Sequence, residues 1–323
     1  MNTTVKPLLS VVVPVYNEEI VLPETYKRLK SVLEGMEIPY EIILVNDGSK
    51  DKTAEIVTEM CESDPTLKFL NFSRNFGHQI AITAGMDYST GDAIVVIDAD
   101  LQDPPELIPQ MMLKWHDGFD VVYAKRISRE GETFFKKFSA KMFYIFMRFM
   151  TDFDLPTDVG DFRLIDCKVR DALKLVNERN RYIRGIISWL GFRQTAVEFN
   201  REKRFAGVTK YPLKKMIKFA FDAITSFSYK PLKIATYIGT FTSLASFVYL
   251  IVVIVQAMIF KTVSGWASSI AVQLFFNGVI LIMLGIIGEY IGRIFDEVKA
   301  RPLYIVARTI NLENDSLNAR GKK

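Results

Sequence analysis

The sequence predicts an α/β protein: a mostly parallel sheet covered by helices, followed by interfacial amphipathic helices and two transmembrane helices. Three observations predict it. Before Lys233, short runs rich in Val and Ile alternate with stretches of helical periodicity. Those runs end in polar, often acidic turns, where open α/β sheets place their ligands. Beyond Lys233, Asp, Glu, Lys and Arg disappear from Ile234 to Phe260 and again from Thr262 to Gly288, and each run exceeds the roughly 20 apolar residues that cross a bilayer.

The strand candidates, in order, are LLSVVVPVY, EIILVND, KFLNFS, AIVVIDAD and DVVYAKR. The first leads straight into Pro14 and a polar turn without a small-residue cleavage site, so it reads as a strand rather than a signal peptide. Stretches such as EEIVLPETYKRLKSVLEGM and KTAEIVTEMCES separate the strands, and such alternation implies a parallel sheet with helices on its faces. The strand ends carry Pro14 to Glu18, Asn46 to Ser49, and Asp98 to Asp100. No GxGxxG follows the first strand and no GxxxxGK[ST] occurs, which excludes the dinucleotide fingerprint and the P-loop.

The membrane part follows. Lys210, Lys214, Lys215, Lys218, Lys230 and Lys233 precede the first uncharged run, Arg293, Lys299, Arg301 and Arg308 follow the second, and Lys261 alone lies between. The positive-inside rule puts both termini, and the α/β domain with them, in the cytoplasm, in a multi-pass membrane protein. A buried helix pair in a soluble core is the plainer alternative. Expected boundaries are a catalytic domain over 1–209, a juxtamembrane segment over 210–232, spans over 233–260 and 262–289, and a tail over 290–323. Tyr211 to Tyr229 sets Leu213, Met216, Ile217, Ala220, Ile224 and Phe227 on one stripe with lysines opposite, the pattern of a helix lying in the membrane interface. GETFFKKFSAKMFYIFMRFM shows a similar aromatic stripe, with a core helix as the competing reading. In the tail, RPLYIVARTI predicts a strand at 302–309 that must pair with a sheet edge, in its own domain or a neighbour's.

The 323 residues carry 41 Lys and Arg against 37 Asp and Glu, a net charge of +4. That balance argues against a general nucleic-acid binder. Cys61 and Cys167 are isolated, which argues against a zinc site and for a reducing compartment.

The stretch IVVIDADLQDPPE carries the chemistry. Along a strand, Asp98 and Asp100 point the same way, and Gln102 joins them only if the chain turns after Leu101. Two close carboxylates repel, and oxygen ligands of this kind suit Mg²⁺ or Mn²⁺ completed by water and substrate phosphates. Asp47 in NDGS reads both as a turn cap and as a ligand contact. Asn17 reads equally as a helix N-cap before Glu18 and Glu19.

Taken together, VVVPVYNEE, LVNDGSKDKT, SRNFGHQIA, IDADLQDPPE, GDFRLID and FAGVTKY, followed by two spans and EYIGRIFDEVKARPLYIV, resemble the inverting GT-A glycosyltransferases of family 2. More narrowly they resemble the bacterial polyisoprenyl-phosphate glycosyltransferases. The resemblance implies a GT-A, Rossmann-like domain that moves a sugar, glucose from UDP-glucose foremost, to undecaprenyl or a similar polyprenyl phosphate. Formamido-arabinose, mannose and N-acetylhexosamine remain alternative sugars, a processive synthase and a non-catalytic nucleotide-binding scaffold alternative functions. Residue by residue, it implies that Pro14, Tyr16, Asn17, Glu18 and Asp47 surround the nucleoside, with Arg74 to Gly77 closing the base site. Asp100 and Gln102 become metal ligands, with Asp98 between ribose and metal. Asp161 falls near the reacting centre, either as a base or as a positioning group; a lipid phosphate with a second pKa near ~6 scarcely needs a base. A salt bridge from Asp161 to Arg163 is the plainer alternative. Arg126 and Arg129, with Arg204 and Lys210 flanking FAGVTK, are candidates to hold the acceptor phosphate. A homo-oligomer, foremost a tetramer tied by the tail, is also implied.

Overall fold

The computed structural model describes residues 6–127, 159–199, 230–259 and 265–312. Arg129, Arg204, Lys210, the FAGVTK loop and both amphipathic segments lie outside the described residues. The chain forms two units: Met1–Arg148, Phe153–Pro212 and Arg301–Lys323 make one, and Phe149–Asp152 with Leu213–Ala300 the other.

In the first unit, β1 (Leu9–Val15), β2 (Tyr40–Asn46), β3 (Leu67–Phe72) and β4 (Ala93–Val96) are joined by α1 (Leu22–Gly35), α2 (Thr53–Ser63) and α3 (His78–Tyr88). Then come a short 3₁₀ turn, Pro105–Leu107, α4 (Ile108–His116), β5 (Val121–Arg126), β6 (Val159–Asp166), α5 (Cys167–Leu175), α6 (Ile183–Trp189) and β7 (Gln194–Phe199). The five strands read from the sequence are all present. β6 and β7 carried no strand assignment in the sequence. The sheet order is β7-β5-β6-β4-β1-β2-β3, with one further strand on β3.

β1 is buried along its whole length, because helices cover both faces of the sheet. Val11, Val13 and Val15 join Leu29 and Leu33 of α1, Val57 and Cys61 of α2, and Met111 of α4 in one core. Val12 faces the opposite layer, where α3 packs so tightly that a Cβ at Gly85 would lie 2.1 Å from Val12 Cγ1. Pro14 sits in a central strand without breaking the ladder, since β4 pairs with β1 only as far as Val12. The sheet is mixed rather than mostly parallel. β1, β2, β3 and β4 pair in parallel and so do β5 and β7, but β6 enters antiparallel to both β4 and β5.

At the amino ends of the strands a polar knot holds β1, β2, β3 and the turn before β4 together. Buried Glu41 accepts hydrogen bonds from Ser10 Oγ and Lys68 Nζ, from Thr90 N at 2.8 Å and from Thr90 Oγ1 at 3.0 Å. Burial pushes its pKa up, but these donors outweigh burial and leave it below the ordinary value.

The eighth strand, β8 (Val306–Ile310), returns after the second unit and pairs antiparallel with β3 of its own chain, Phe69 opposite Ile310 and Phe72 opposite Val306. Strand geometry thus begins at Val306 and not at Pro302. Asn311 Nδ2 donates to the carbonyls of Leu67 at 2.9 Å and Cys61 at 3.0 Å, locking the far end of the strap.

The second unit contains two long helices, α7 (Lys230–Ile259) and α8 (Trp266–Val298). Apolar side chains stand outward on both, Phe241 at 73% exposure and Phe275 at 65%. In α7 the hydroxyls of Thr236, Thr240 and Thr242 donate to carbonyls one turn back, so these polar groups ask nothing of the surroundings. Among the described residues, Phe275–Val298 is long and apolar enough to cross a membrane, and its apolar window is not buried within the protein.

Because the Glu41 pKa is depressed in the fold, its contribution to stability is present above the unfolded glutamate value and is lost as pH falls through the folded one. Glu41→Gln should therefore lower the melting temperature at pH 7, corresponding to roughly 1–3 kcal/mol. The gap to wild type should narrow as pH falls below the ordinary glutamate value. Thermal melts across pH check both halves.

Candidate active site

The carboxyl ends of β1, β2 and β4 open into a cleft of about 280 Å³. Pro14, Tyr16, Glu18, Asp47, Asn75, Gly77, His78, Asp98 and Asp100 are among the residues that line it. Most of the nucleotide-site residues named from sequence thus meet in one place. Asn17, Arg74 and Gln102 are not in that lining.

Three loops build the walls. Asn17, at φ 56°, adopts the left-handed turn that Asn tolerates. Its Oδ1 accepts from Lys50 N at 2.8 Å and its own N–H donates to Ser49 Oγ at 2.9 Å. Asn17 is therefore not a helix cap: α1 starts at Leu22, with Val21 at the N-cap and no side-chain capping bond. It fastens the loop after β1 to the loop after β2, and Glu18 N adds a bond to Thr53 Oγ1 at 2.9 Å.

The loop after β2 is fastened in turn to the segment after β3. Asp47 is buried, and its carboxylate accepts from Phe76 N at 2.6 Å and from Gly77 N at 3.0 Å. Burial raises its pKa despite those two amides. Gly48, at φ +68°, allows this approach, for a Cβ there would lie 2.5 Å from the Arg74 carbonyl carbon. Arg74 does not reach the cleft; its guanidinium lies over the Phe76 ring, 4.0 Å from the centroid.

The acidic pair occupies a turn. β4 ends at Val96, so the strand alternation expected to align Asp98 and Asp100 does not apply. The chain turns at Leu101, which takes φ 57°, and Gln102 N donates to Asp100 Oδ1 at 3.1 Å. Both aspartates still line the cleft. Asp98 Oδ1 is buried without a hydrogen-bond partner among the described residues, and His78 Nε2 stands 3.4 Å from it. Burial pushes the Asp98 carboxyl up to about 6; His78 pulls it down, and the charges of Asp161, Asp103 and Asp100 raise it further. A carboxylate held this way favours a cation. Among the described residues no three His, Cys, Asp or Glu side chains group as a metal cage. Two carboxylates facing an open cleft fit Mg²⁺ or Mn²⁺ only if a ligand supplies further oxygens.

Asp161, on β6, is almost fully buried and heavily engaged. Arg184 of α6 binds it with two prongs, Nε to Oδ1 at 2.7 Å and Nη2 to Oδ2 at 3.0 Å. Gln79 Nε2 and His78 Nε2 each stand 3.2 Å from Oδ2. Burial alone would raise its pKa, yet Arg184 and His78 outweigh it and hold the carboxyl well below the usual range. The side-chain pairing with Arg163 is absent, because that guanidinium donates to the backbone carbonyls of Gly160 and Asp161. Asp161 itself does not line the cleft, whereas His78 does. His78 and Arg184 are the residues that sequence reasoning missed: SRNFGHQIA was quoted as a motif without a role for its histidine, and Arg184 sits in no motif.

Of the acceptor cations, Arg126 alone is described. Its Nη2 lies 3.7 Å from Asp103 Oδ1 and would meet a Cβ at Gly160 at 3.1 Å, so it packs beside the strand that bears Asp161.

With this geometry in place, the likenesses of the chain to known proteins take on meaning. The family described as Glycosyl transferase family 2 matches residues 10–173, and the GtrB C-terminal hairpin matches residues 230–294. The chain is 57% identical to the uncharacterized glycosyltransferase YkcC of Bacillus subtilis (strain 168), over 95% of this chain and 96% of that protein. It is 42% identical to the SfII prophage-derived bactoprenol glucosyl transferase of Shigella flexneri, over 93% of this chain and 98% of that protein. Among solved structures, a mannosyltransferase from Pyrobaculum calidifontis in complex with GDP-Man and Mn²⁺ aligns at TM-score 0.41 and 17% identity, over 87% of this chain and 88% of that one.

Arg184→Ala leaves Asp161 buried without its main counter-charge and should cost about 3 kcal/mol. Asp161→Asn in the same chain should restore much of that loss. A double-mutant cycle on thermal stability measures the coupling.

Proposed function

This chain belongs to glycosyltransferase family 2, and from that premise we propose that it transfers glucose from UDP-glucose to a polyprenyl phosphate with inversion. The observation that carries the reading is Asp98, whose buried oxygen lacks a hydrogen-bond partner among the described residues, in a cleft shared with Asp47 and Asp100. A cation-bridged nucleoside diphosphate supplies what that oxygen lacks. The bactoprenol glucosyl transferases, 42% identical over nearly the whole chain, support the sugar and the lipid acceptor.

In this reading Tyr16, Asn17, Glu18 and Asp47 enclose the nucleoside. Asp98 and Asp100 hold Mg²⁺ or Mn²⁺, with Gln102 held beside them in the turn at Leu101. The metal supplies charge neutralisation for the diphosphate. An oxygen of the acceptor phosphate attacks the anomeric carbon; the bond from that carbon to the diphosphate breaks, UDP leaves and a phosphodiester forms. The attacking dianion carries no proton to remove, so no base is required. Asp161, already engaged by four donor atoms and well below the usual pKa range, serves as an anchor: it fixes Arg184 and His78 beside the cleft. Arg126, with Arg129, Arg204 and Lys210, provides the positive wall for the acceptor phosphate.

Membrane attachment belongs to the same proposal. The exposed apolar faces of α7 and α8 and the match to the GtrB C-terminal hairpin support two spans, with the catalytic unit at the cytoplasmic face where the lipid phosphate resides. Association into a homo-oligomer is proposed on the sequence resemblance.

The direct test is formation of radiolabelled sugar-lipid from UDP-glucose with and without polyprenyl phosphate, beside a panel of other sugar nucleotides. No turnover on any donor, or no dependence on the lipid, overturns the reading. EDTA and Asp100→Asn should each nearly abolish turnover. Asp161→Asn should lower kcat about a hundredfold with donor KM near wild type. Its acid limb should stay in place; a limb that moves in Asp161→Glu would reinstate a general base.

A further inference from the structure

We propose that Tyr304, in the strap that returns from α8 to the catalytic unit, is a positioning residue for the donor cleft. The inference rests on the reading of that cleft as a nucleotide site. Its basis is an unbroken set of contacts. The Tyr304 ring stacks on Phe72, with centroids 5.2 Å apart and planes at 15°. Phe72 meets Phe76 edge-on at 5.6 Å and 87°. Phe76 N donates to Asp47, in the cleft wall, at 2.6 Å. The strap also bonds the same segment directly, because Ser73 N donates to the Ile305 carbonyl at 3.0 Å.

Tyr304 acts at a second point. Its hydroxyl donates to Asp87 Oδ2 at 3.1 Å, near the carboxyl end of α3, while Phe72 and Phe76 lie before its amino end. α3 is therefore held at both ends by one side chain and its stacking partners. The amino end of α3 presents His78 to the cleft and Gln79 to Asp161, so a shift of this helix is felt at both. The register shifts between Asn71 and Phe72, and Phe72, the last β3 residue paired with the strap, is the one on which Tyr304 stacks. Sheet pairing alone would explain β8; it does not explain an aromatic residue placed before the strand and stacked on Phe72, at the entry to residues 73–77, the donor loop of this reading. If the strap favours the donor-ready position of residues 73–77, then donor binding must in return favour the docked strap, by thermodynamic reciprocity.

The experiment uses the full chain in detergent or lipid nanodiscs and compares Tyr304→Ala, Tyr304→Phe and Asn311→Ala. Asn311→Ala loosens the same strap at its far end without touching the donor loop. Loss of an aromatic pair corresponds to about a three- to tenfold change in an equilibrium. Tyr304→Ala should therefore raise the UDP Kd and the donor KM by about that factor with kcat largely retained, and speed hydrogen exchange at the Phe76 and Gly77 amides. Tyr304→Phe, which keeps the stack, should recover most of the affinity. Asn311→Ala should lower the melting temperature and leave UDP affinity alone. Unchanged exchange at Phe76 and Gly77 in Tyr304→Ala, or equal affinity loss in Asn311→Ala, overturns the proposal. If wild type binds no UDP, the nucleotide reading fails, and exchange at those two amides still decides whether Tyr304 holds the loop.

Discussion

Negative charge gathered at one end of a sheet is the constraint around which the catalytic unit is arranged. Asp47, Asp98, Asp100 and Asp161 converge near the carboxyl ends of β2 and β4 and the amino end of the antiparallel β6, and burying a carboxylate without compensation is costly. Three of them are met in different ways. Asp47 takes backbone amides, which never titrate and cannot swing away. Asp161 takes a forked guanidinium and two further side chains. Asp98 keeps an oxygen without a hydrogen bond among the described residues, so the least satisfied acid is one that faces the open cleft. Stability and ligand demand are thereby allotted to different residues of one cluster.

In the same arrangement the loops are stitched to one another as well as to helix ends. The loop after β1 is bonded to the loop after β2 through Asn17, Ser49 and Lys50; that loop is bonded to the segment after β3 through Asp47. The cleft wall is then a continuous set of hydrogen-bonded loops. Parallel strands make this possible by placing the exits of β1, β2 and β3 side by side.

How much of this was legible in the sequence follows from the range of each interaction. Strands of buried Val and Ile announce themselves locally, and an acidic pair at a strand end is conspicuous because a strand serving only the core has no use for it. The antiparallel insertion of β6 left no comparable trace: direction is set by which neighbour the chain reaches, and VGDFRLID carries polar residues on a strand packed between two others. Arg184 and His78 were hidden for a related reason, since they meet Asp161 across large sequence distances with no spacing rule. For Asn17 only the helix-cap alternative fails: a polar residue before two glutamates matches a helix start, whereas the actual helix waits until Leu22. The common alignment of Asp98 and Asp100 was argued from strand alternation, yet β4 ends at Val96 and both reach the cleft from the loop beyond it.

The pairing of β8 with β3 has a bearing on how the protein is made. β3 leaves the ribosome early, and its outer edge stays open until the chain has run through both long helices of the second unit. During that interval the bare edge is open to any extended chain nearby. The sheet is complete only when the strap arrives, so α7 and α8 must be synthesised before the catalytic unit can close its edge. Biogenesis thus has a built-in order: the helical hairpin precedes the finished sheet, and chains that lose the way between them are left with an adhesive edge by which quality control can recognise them.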